Sequence, residues 1–293
     1  MSDFNGGARI AAEGGAEKKG GIERFASTLL LGLAFLLPIF FLPLTTDVLE
    51  LNKQMLLVDG VSLLAIIGGV RMLLSGTFEL QLSSVFAGLA AVIGSWLLSS
   101  VLSHYPYNSF VGIDRQEYTS FLTVASLGLL LVIMAHGAKE KALHILAIIC
   151  ASSALASVFG LLHLFGKFFL PWNFTKTNTF MLLGTVDTWG IIAVIALLLS
   201  VSLIGFLSCT EYRYKLHASI ALALSTGIQL ISLILLDDWR LWIGVIGGSS
   251  LLLVVLFIKL RDQKSLPWLV LPSFVLVLSL AFSFIHLPRI VDL

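Results

Sequence analysis

The stretch Leu236-Asp237-Asp238-Trp239-Arg240-Leu241-Trp242 places two carboxylates and a guanidinium between two long apolar runs, 218–236 and 241–258. A helix needs about 20 mostly apolar residues to cross the ~30 Å hydrocarbon core of a bilayer, and each run has that length. The loop between them is only a few residues long. These charges are therefore pinned at a membrane face between two spans. Two roles are open to them: capping a helical hairpin, or touching a charged substrate at the bilayer surface.

Working outward, the chain has 293 residues, 58% of them hydrophobic and 12% charged. Soluble domains carry roughly 25% charged residues, so the composition is that of a polytopic membrane protein. The net charge of +1 says nothing about nucleic acid, and the basic residues are scattered rather than clustered, so a nucleic-acid-binding reading has no support. The two cysteines, Cys150 and Cys209, make no disulfide framework and stand in no metal-ligand spacing. Of the six histidines, His144 and His163 share one span but lie 19 residues apart, and none forms an i,i+3 or i,i+4 pair for a metal. No P-loop, dinucleotide glycine pattern or Ser/Cys nucleophile motif is present. No cofactor and no metal site is expected.

Nine segments are apolar enough to be spans: roughly 25–44, 53–74, 85–102, 118–136, 141–164, 189–207, 218–236, 239–258 and 267–285. Residues 1–24 hold three Gly-Gly pairs and few apolar residues, and read as a disordered tail. The run that follows is too long for a signal sequence, has no small-residue cleavage pattern, and reads as an uncleaved first span. No Pro/Gly-rich linker divides the spans, so 25–293 is expected to be one transmembrane domain. The fold class is all-α, a polytopic helical bundle.

Cytoplasmic loops are enriched in Lys and Arg. With the N-terminus in the cytoplasm, twelve of the eighteen basic residues fall inside, in the tail and beside Arg71, Lys139, Arg213 and Lys259. Six fall outside: Lys53, Arg115, Lys167, Lys176, Arg240 and Arg289. The C-terminus is then outside, and so is Arg240.

Pro38 is expected to kink the first span. Asp59 lies about two turns into the second, a depth at which an acid faces protein or water. It reads either as a cavity-lining acid that meets a substrate or a proton, or as a bundle-packing acid reached by Lys53 from above. Gln229 is a second intramembrane polar residue. Ala87, Ala91, Ser95 and Ser99, then Ser152, Ala156 and Gly160, then Gly244 and Gly248, form small-residue faces suited to close helix approach. Tyr105, Tyr107, Phe110 and Tyr118 suit the headgroup level, with Asp114, Arg115 and Glu117 over the outer surface as a solvated, mutually paired cluster or as an anion contact. The connection 165–188 holds Lys167, Lys176, Phe168, Phe169 and Trp172 and is expected to lie in the interface.

Several stretches together resemble the bacterial O-antigen ligase and O-antigen polymerase family. They are Phe41-Leu42-Pro43-Leu44-Thr45-Thr46 with Asn52-Lys53-Gln54, and Tyr105-Pro106-Tyr107-Asn108-Ser109-Phe110-Val111-Gly112 followed by Arg115. Gly184-Thr185 at the start of the sixth span and Arg240 between the seventh and eighth complete the likeness, which covers most of the chain after residue 25. The resemblance implies a multi-pass protein of the bacterial inner membrane. Such proteins bind a polyprenyl-pyrophosphate-linked glycan and transfer it to an acceptor hydroxyl at the periplasmic face. Arg240 is then the expected pyrophosphate ligand, with Arg115 and Lys176 as helpers, because guanidinium groups neutralise charge on the leaving group. In the family a large periplasmic loop with a catalytic histidine follows this many spans. The sequence ends at Leu293, where that loop would begin, so no catalytic residue is identified and this chain alone is expected to be inactive. Trp239 replaces the family's usual serine. Asp237 and Asp238 are close enough to pair with Arg240, so a hairpin clamp and a pyrophosphate ligand both stand as its role. The alternative function is a non-catalytic multi-pass protein, transporter-like or an assembly subunit in contact with membrane lipid.

Overall fold

The computed structural model describes residues 4–43, 49–75, 84–112, 117–137, 141–176, 180–208, 215–260 and 270–284. The helices in order are α1 (Phe4–Ile39), α2 (Glu50–Ser75), α3 (Ser84–Val101), α4 (Pro106–Val111), α5 (Phe121–Gly137) and α6 (Ala142–Leu164). They continue with α7 (Val186–Ser208), α8 (Lys215–Leu236), α9 (Trp239–Leu260) and α10 (Val270–Phe284). Short 3-10 turns at Glu117–Thr119 and Asn173–Thr175 interrupt the connections.

Every expected span falls on a helix. Seven are long and apolar enough to cross a membrane: Gly21–Ile39, Glu50–Leu74, Ser84–Val101, Ala142–Leu164, Val186–Leu207, Leu216–Leu236 and Trp239–Ile258. The protein is an all-α, multi-pass membrane protein. The described parts of α5 and α10 are apolar but shorter, at 17 and 15 residues. For α5 the reason is visible: the 3-10 turn at Glu117–Thr119 takes the residues that the apolar pattern would have put in its first turn.

Two further differences from expectation concern α1. It reaches back to Phe4, through the segment expected to be disordered. Ala11, Ala12, Glu13, Ala16, Glu17, Lys18 and Lys19 are good helix formers, and a helix nucleated by the apolar span propagates into them at little cost. Pro38 does not kink the span; it is the penultimate residue, and the helix stops at Ile39.

The chain divides into two compact units: Met1–Leu37 with Leu44–Ile145, and Pro38–Pro43 with Leu146–Leu293. In the first, α2 is joined to α1 where Leu33 fills the notch at Gly60; a Cβ there would stand 2.8 Å from Leu33 Cδ1. At the other end of the same pair Arg71 and Glu23 form an exposed ion pair at 2.8 Å. The helix α3 meets α5 through Leu89 and Ile93, which close on Gly128. Its small-residue face, Ala87, Ala91, Ser95 and Ser99, is exposed and packs against nothing described. The large side chains on the opposite face took the contact instead.

Gln54 ties this unit together. Its Nε2 donates to Val111 O (2.7 Å) and Ser120 Oγ (2.8 Å), with Glu117 O at 3.4 Å. Ser120 and Thr123 hydroxyls also donate to Glu117 O, at 2.8 and 2.6 Å. These bonds draw Glu117 inward. It is 4% exposed rather than part of a solvated surface cluster. Asp114 and Arg115 lie outside the described residues.

The second unit is built on α7. Trp189, Ala193, Leu197 and Val201 recur at helical spacing and are buried against Leu233 and Leu236 of α8, and Leu241, Trp242 and Val245 of α9. The opposite side of α7, with Ile191, Ile195 and Phe206, is exposed and as apolar as the buried one, as suits a span that faces lipid. The small residues work here as expected. Ser152, Ala156 and Gly160 of α6 are buried. Gly160 meets the Trp189 indole, and Gly248 of α9 meets Leu198. Trp242 stacks on Phe282 of α10, with ring centroids 5.6 Å apart and planes at 11°.

Candidate functional site: one end of the second unit

The α8–α9 hairpin is a two-residue turn, and each residue has a defined task. Asp237 has φ +43°, the left-handed conformation that ends many helices and that Asp tolerates better than most residues. Its N–H donates to Leu233 O at 3.2 Å and closes α8. Asp238 then caps α9: its Oδ1 accepts the Arg240 N–H at 2.9 Å. The same carboxylate grips the guanidinium edge-on. Arg240 Nε donates to Oδ1 and Oδ2 (3.1 and 3.0 Å) and Nη2 donates to Oδ2 (2.7 Å). Asp187, in the first turn of α7, stands 3.5 Å from Nη2. The side chain of Asp238 is 18% exposed, those of Arg240 and Asp187 64% and 74%.

The start of α7 is fixed just as locally. Gly184 has φ +108° in a turn whose N–H donates to Met181 O at 3.0 Å. Thr185 Oγ1 then accepts the Thr188 N–H at 3.1 Å as an N-cap. Two helix N-termini, α7 and α9, thus open at the same end of this unit, beside Arg240. Each carries a partial positive charge.

The connection before α7 supplies an aromatic cluster at the end of α6. His163 is fully buried among Phe159 (centroids 4.2 Å), Phe168 (5.2 Å) and Phe180 (5.9 Å). Phe41 meets Trp172 edge-on at 5.9 Å, and Trp172 stacks on Phe174 at 6.2 Å. Phe165, Phe169, Trp172 and Phe174 keep exposed surface, and Lys167 and Lys176 are exposed beside them. An apolar body with cationic edges is what a membrane interface selects.

Of the expected site residues, the structure pairs Arg240 with Asp238 and not with Asp237, whose place is in the turn that closes α8, and it adds Asp187, which sequence reasoning did not connect to them. Lys176 is exposed on the preceding connection, and no described hydrogen bond or ion pair joins it to Arg240. Arg115 lies outside the described residues. Asp59 belongs to the other unit, where it is exposed on α2. It is not among the residues that line the apolar cleft between α1 and α2. Lys53 does not reach down to it; Glu50, one turn back on the same helix, is the charge that acts on Lys53.

Gln229 is fully buried in α8 and sits in a relay across three helices. The Trp189 indole N–H donates to Ser157 Oγ (3.0 Å), and Ser157 donates to Gln229 Oε1 (2.8 Å). Its Nε2 has no hydrogen-bond partner among the described residues. Among those residues no group of His, Cys, Asp or Glu has the arrangement to hold a metal.

Compared with protein families, curated proteins and solved structures, the chain matches none.

Proposed function

We propose that this multi-pass membrane protein is O-antigen ligase-like and holds a polyprenyl-pyrophosphate-linked glycan at the end of the second unit that carries Arg240. The observation behind this reading is the exposed guanidinium of Arg240 beside the N-termini of α7 and α9. A cation and two helix N-termini suit an anionic pyrophosphate. The exposed Trp172, Phe174 and Lys176 offer stacking and charge at headgroup level. Counting Lys and Arg at the span ends supports a cytoplasmic N-terminus with Arg240 on the outer face, which is the periplasmic side in the bacterial inner membrane that the resemblance implies.

The test is binding of polyprenyl pyrophosphate to the purified protein, with polyprenyl monophosphate as reference. Arg240→Ala is expected to weaken pyrophosphate binding about tenfold or more, as befits loss of charge-assisted hydrogen bonds. Unchanged binding removes the site. The Asp238 grip supports a second reading, in which Arg240 only clamps the hairpin of a non-catalytic membrane protein. On that reading Arg240→Ala lowers stability and leaves pyrophosphate binding as it was.

A further inference from the structure

The least explained charge in the molecule is Asp59. It lies nine residues into the span Glu50–Leu74, about 13 Å along the helix axis at 1.5 Å per residue. A carboxylate there is inside a hydrocarbon core ~30 Å thick, and its side chain is too short to reach water from that depth. It is exposed, and among the described residues no hydrogen bond or ion pair reaches it. An acid in that position is expensive unless it is matched by a charge or lines a water-filled cavity.

The residues on its face form a continuous seam. Met55, Asp59, Ser62, Ile66, Gly69 and Leu73 are all exposed, and they follow a 4-3-4-3-4 spacing. That is the interval at which one helix lies along another. A Cβ added at Gly69 would meet nothing. Beside the seam, where α2 meets α1, an apolar cleft of about 330 Å³ is lined by Phe25, Ile66, Ile67 and Val70. Lipid tails satisfy the apolar positions of such a face but not Asp59.

Among the described residues no Lys or Arg of this chain stands at the depth of Asp59. In the described helices every Lys and Arg stands outside a span or near its end: Arg9, Lys18, Lys19, Arg24, Lys53, Arg71, Lys215, Arg240 and Lys259. The described helices of a second copy therefore bring no Lys or Arg to the depth of Asp59, and lipid headgroup amines lie at the interface. We propose that this face of α2 docks a transmembrane helix of another protein, one that carries a Lys or Arg at the depth of Asp59. The inference does not depend on the function proposed above.

The test uses the full chain, labelled at its N-terminal amine, in phosphatidylcholine vesicles. The probe is a synthetic Leu/Ala transmembrane peptide with one central Lys, compared with the same peptide bearing Leu there. Energy transfer reports association. The Lys peptide is expected to bind about tenfold tighter than the Leu peptide. Asp59→Asn, which keeps the shape and removes the charge, should abolish that preference. Asp59→Glu should keep it, and Asp59→Lys should transfer it to a peptide with a central Asp. Equal binding of the Lys and Leu peptides to the wild-type chain overturns the proposal. So does self-association of labelled chains that Asp59→Asn abolishes, because the occupant is then a second copy. Circular dichroism of each variant identifies any that fails to fold, and the Glu and Lys variants then carry the comparison.

Discussion

Two substitutions in the Trp189–Ser157–Gln229 relay should change stability in opposite directions. Ser157→Ala removes the hydroxyl that both accepts from the Trp189 indole and donates to Gln229 Oε1. Both partners are fully or almost fully buried, so neither has water to turn to. Leaving a buried polar group unsatisfied costs about 1–3 kcal/mol. Interhelical hydrogen bonds in membranes average nearer 0.6 kcal/mol, because the unfolded chain also finds partners there. For two groups the expected loss is about 2 kcal/mol. Gln229→Leu behaves differently. It removes one hydrogen bond, but it also removes an Nε2 with no partner, and Ser157 can donate instead to the carbonyl four residues back. Leu fills nearly the same space, so the net change is expected between about 0 and +1 kcal/mol in favour of the folded state. The double variant should recover about half of the Ser157→Ala loss, since the Gln229 acceptor no longer exists to be stranded. Reversible unfolding in mixed detergent micelles, followed by Trp fluorescence and circular dichroism, measures all three. A loss above about 1 kcal/mol for Gln229→Leu refutes this reasoning, because Gln229 Nε2 would then hold a partner that matters.

Gly160→Ala should cost about 1–3 kcal/mol by overpacking, because its Cβ would stand 3.2 Å from the rigid Trp189 indole; a change below about 0.5 kcal/mol in the same assay counts against the tight α6–α7 contact. Asp238→Ala should cost about 1 kcal/mol through loss of the α9 cap, while Asp238→Asn, an equally good cap, should cost a few tenths. Equal losses for the two would mean that the charge, and not the cap, holds the hairpin. Single cysteines at Gly6 and Lys176, in a background without Cys150 and Cys209, should label with impermeant reagents from opposite sides of the membrane. Labelling from the same side overturns the loop assignments, including that of Arg240.

The spans were legible because their signal is length and apolarity, which do not depend on what packs against what. The hairpin turn was also within reach: two acids between two spans suggest capping, and Asp237 and Asp238 end one helix and start the next. The partner of Arg240 in α7 was not, since Asp187 precedes it by 53 residues and nothing local marks the pair. Gln54 was hidden for the same reason. It sits in a polar first turn that looks like any helix start, and its acceptors lie 57–66 residues downstream. Glu117 misled in the other direction. A charge beside aromatic interface residues reads as solvated, yet the carbonyl of the same residue is a hub for three side-chain donors and brings the side chain inside. The small-residue stripes showed where backbones can approach, not which ones do: α6 and α9 use theirs, and α3 turns its stripe outward.

The clamp and ligand roles of Arg240 use different edges of one planar group. A guanidinium has five N–H donors, and a carboxylate or phosphate takes two of them at a time. Asp238 occupies the Nε/Nη2 edge. Among the described residues the Nη1/Nη2 end is crossed only by Asp187 at 3.5 Å, a side chain about three-quarters exposed. On the proposed ligand role, an anion arriving from the membrane surface would displace Asp187, while Asp238 would hold the group in place. Asp187→Asn should accordingly strengthen polyprenyl pyrophosphate binding severalfold, through removal of a competing negative charge, and leave the unfolding midpoint nearly unchanged, as for other exposed ion pairs. Weaker pyrophosphate binding by Asp187→Asn would mean that Asp187 orients Arg240 rather than competing for it, and the free end of the guanidinium would not be the binding edge.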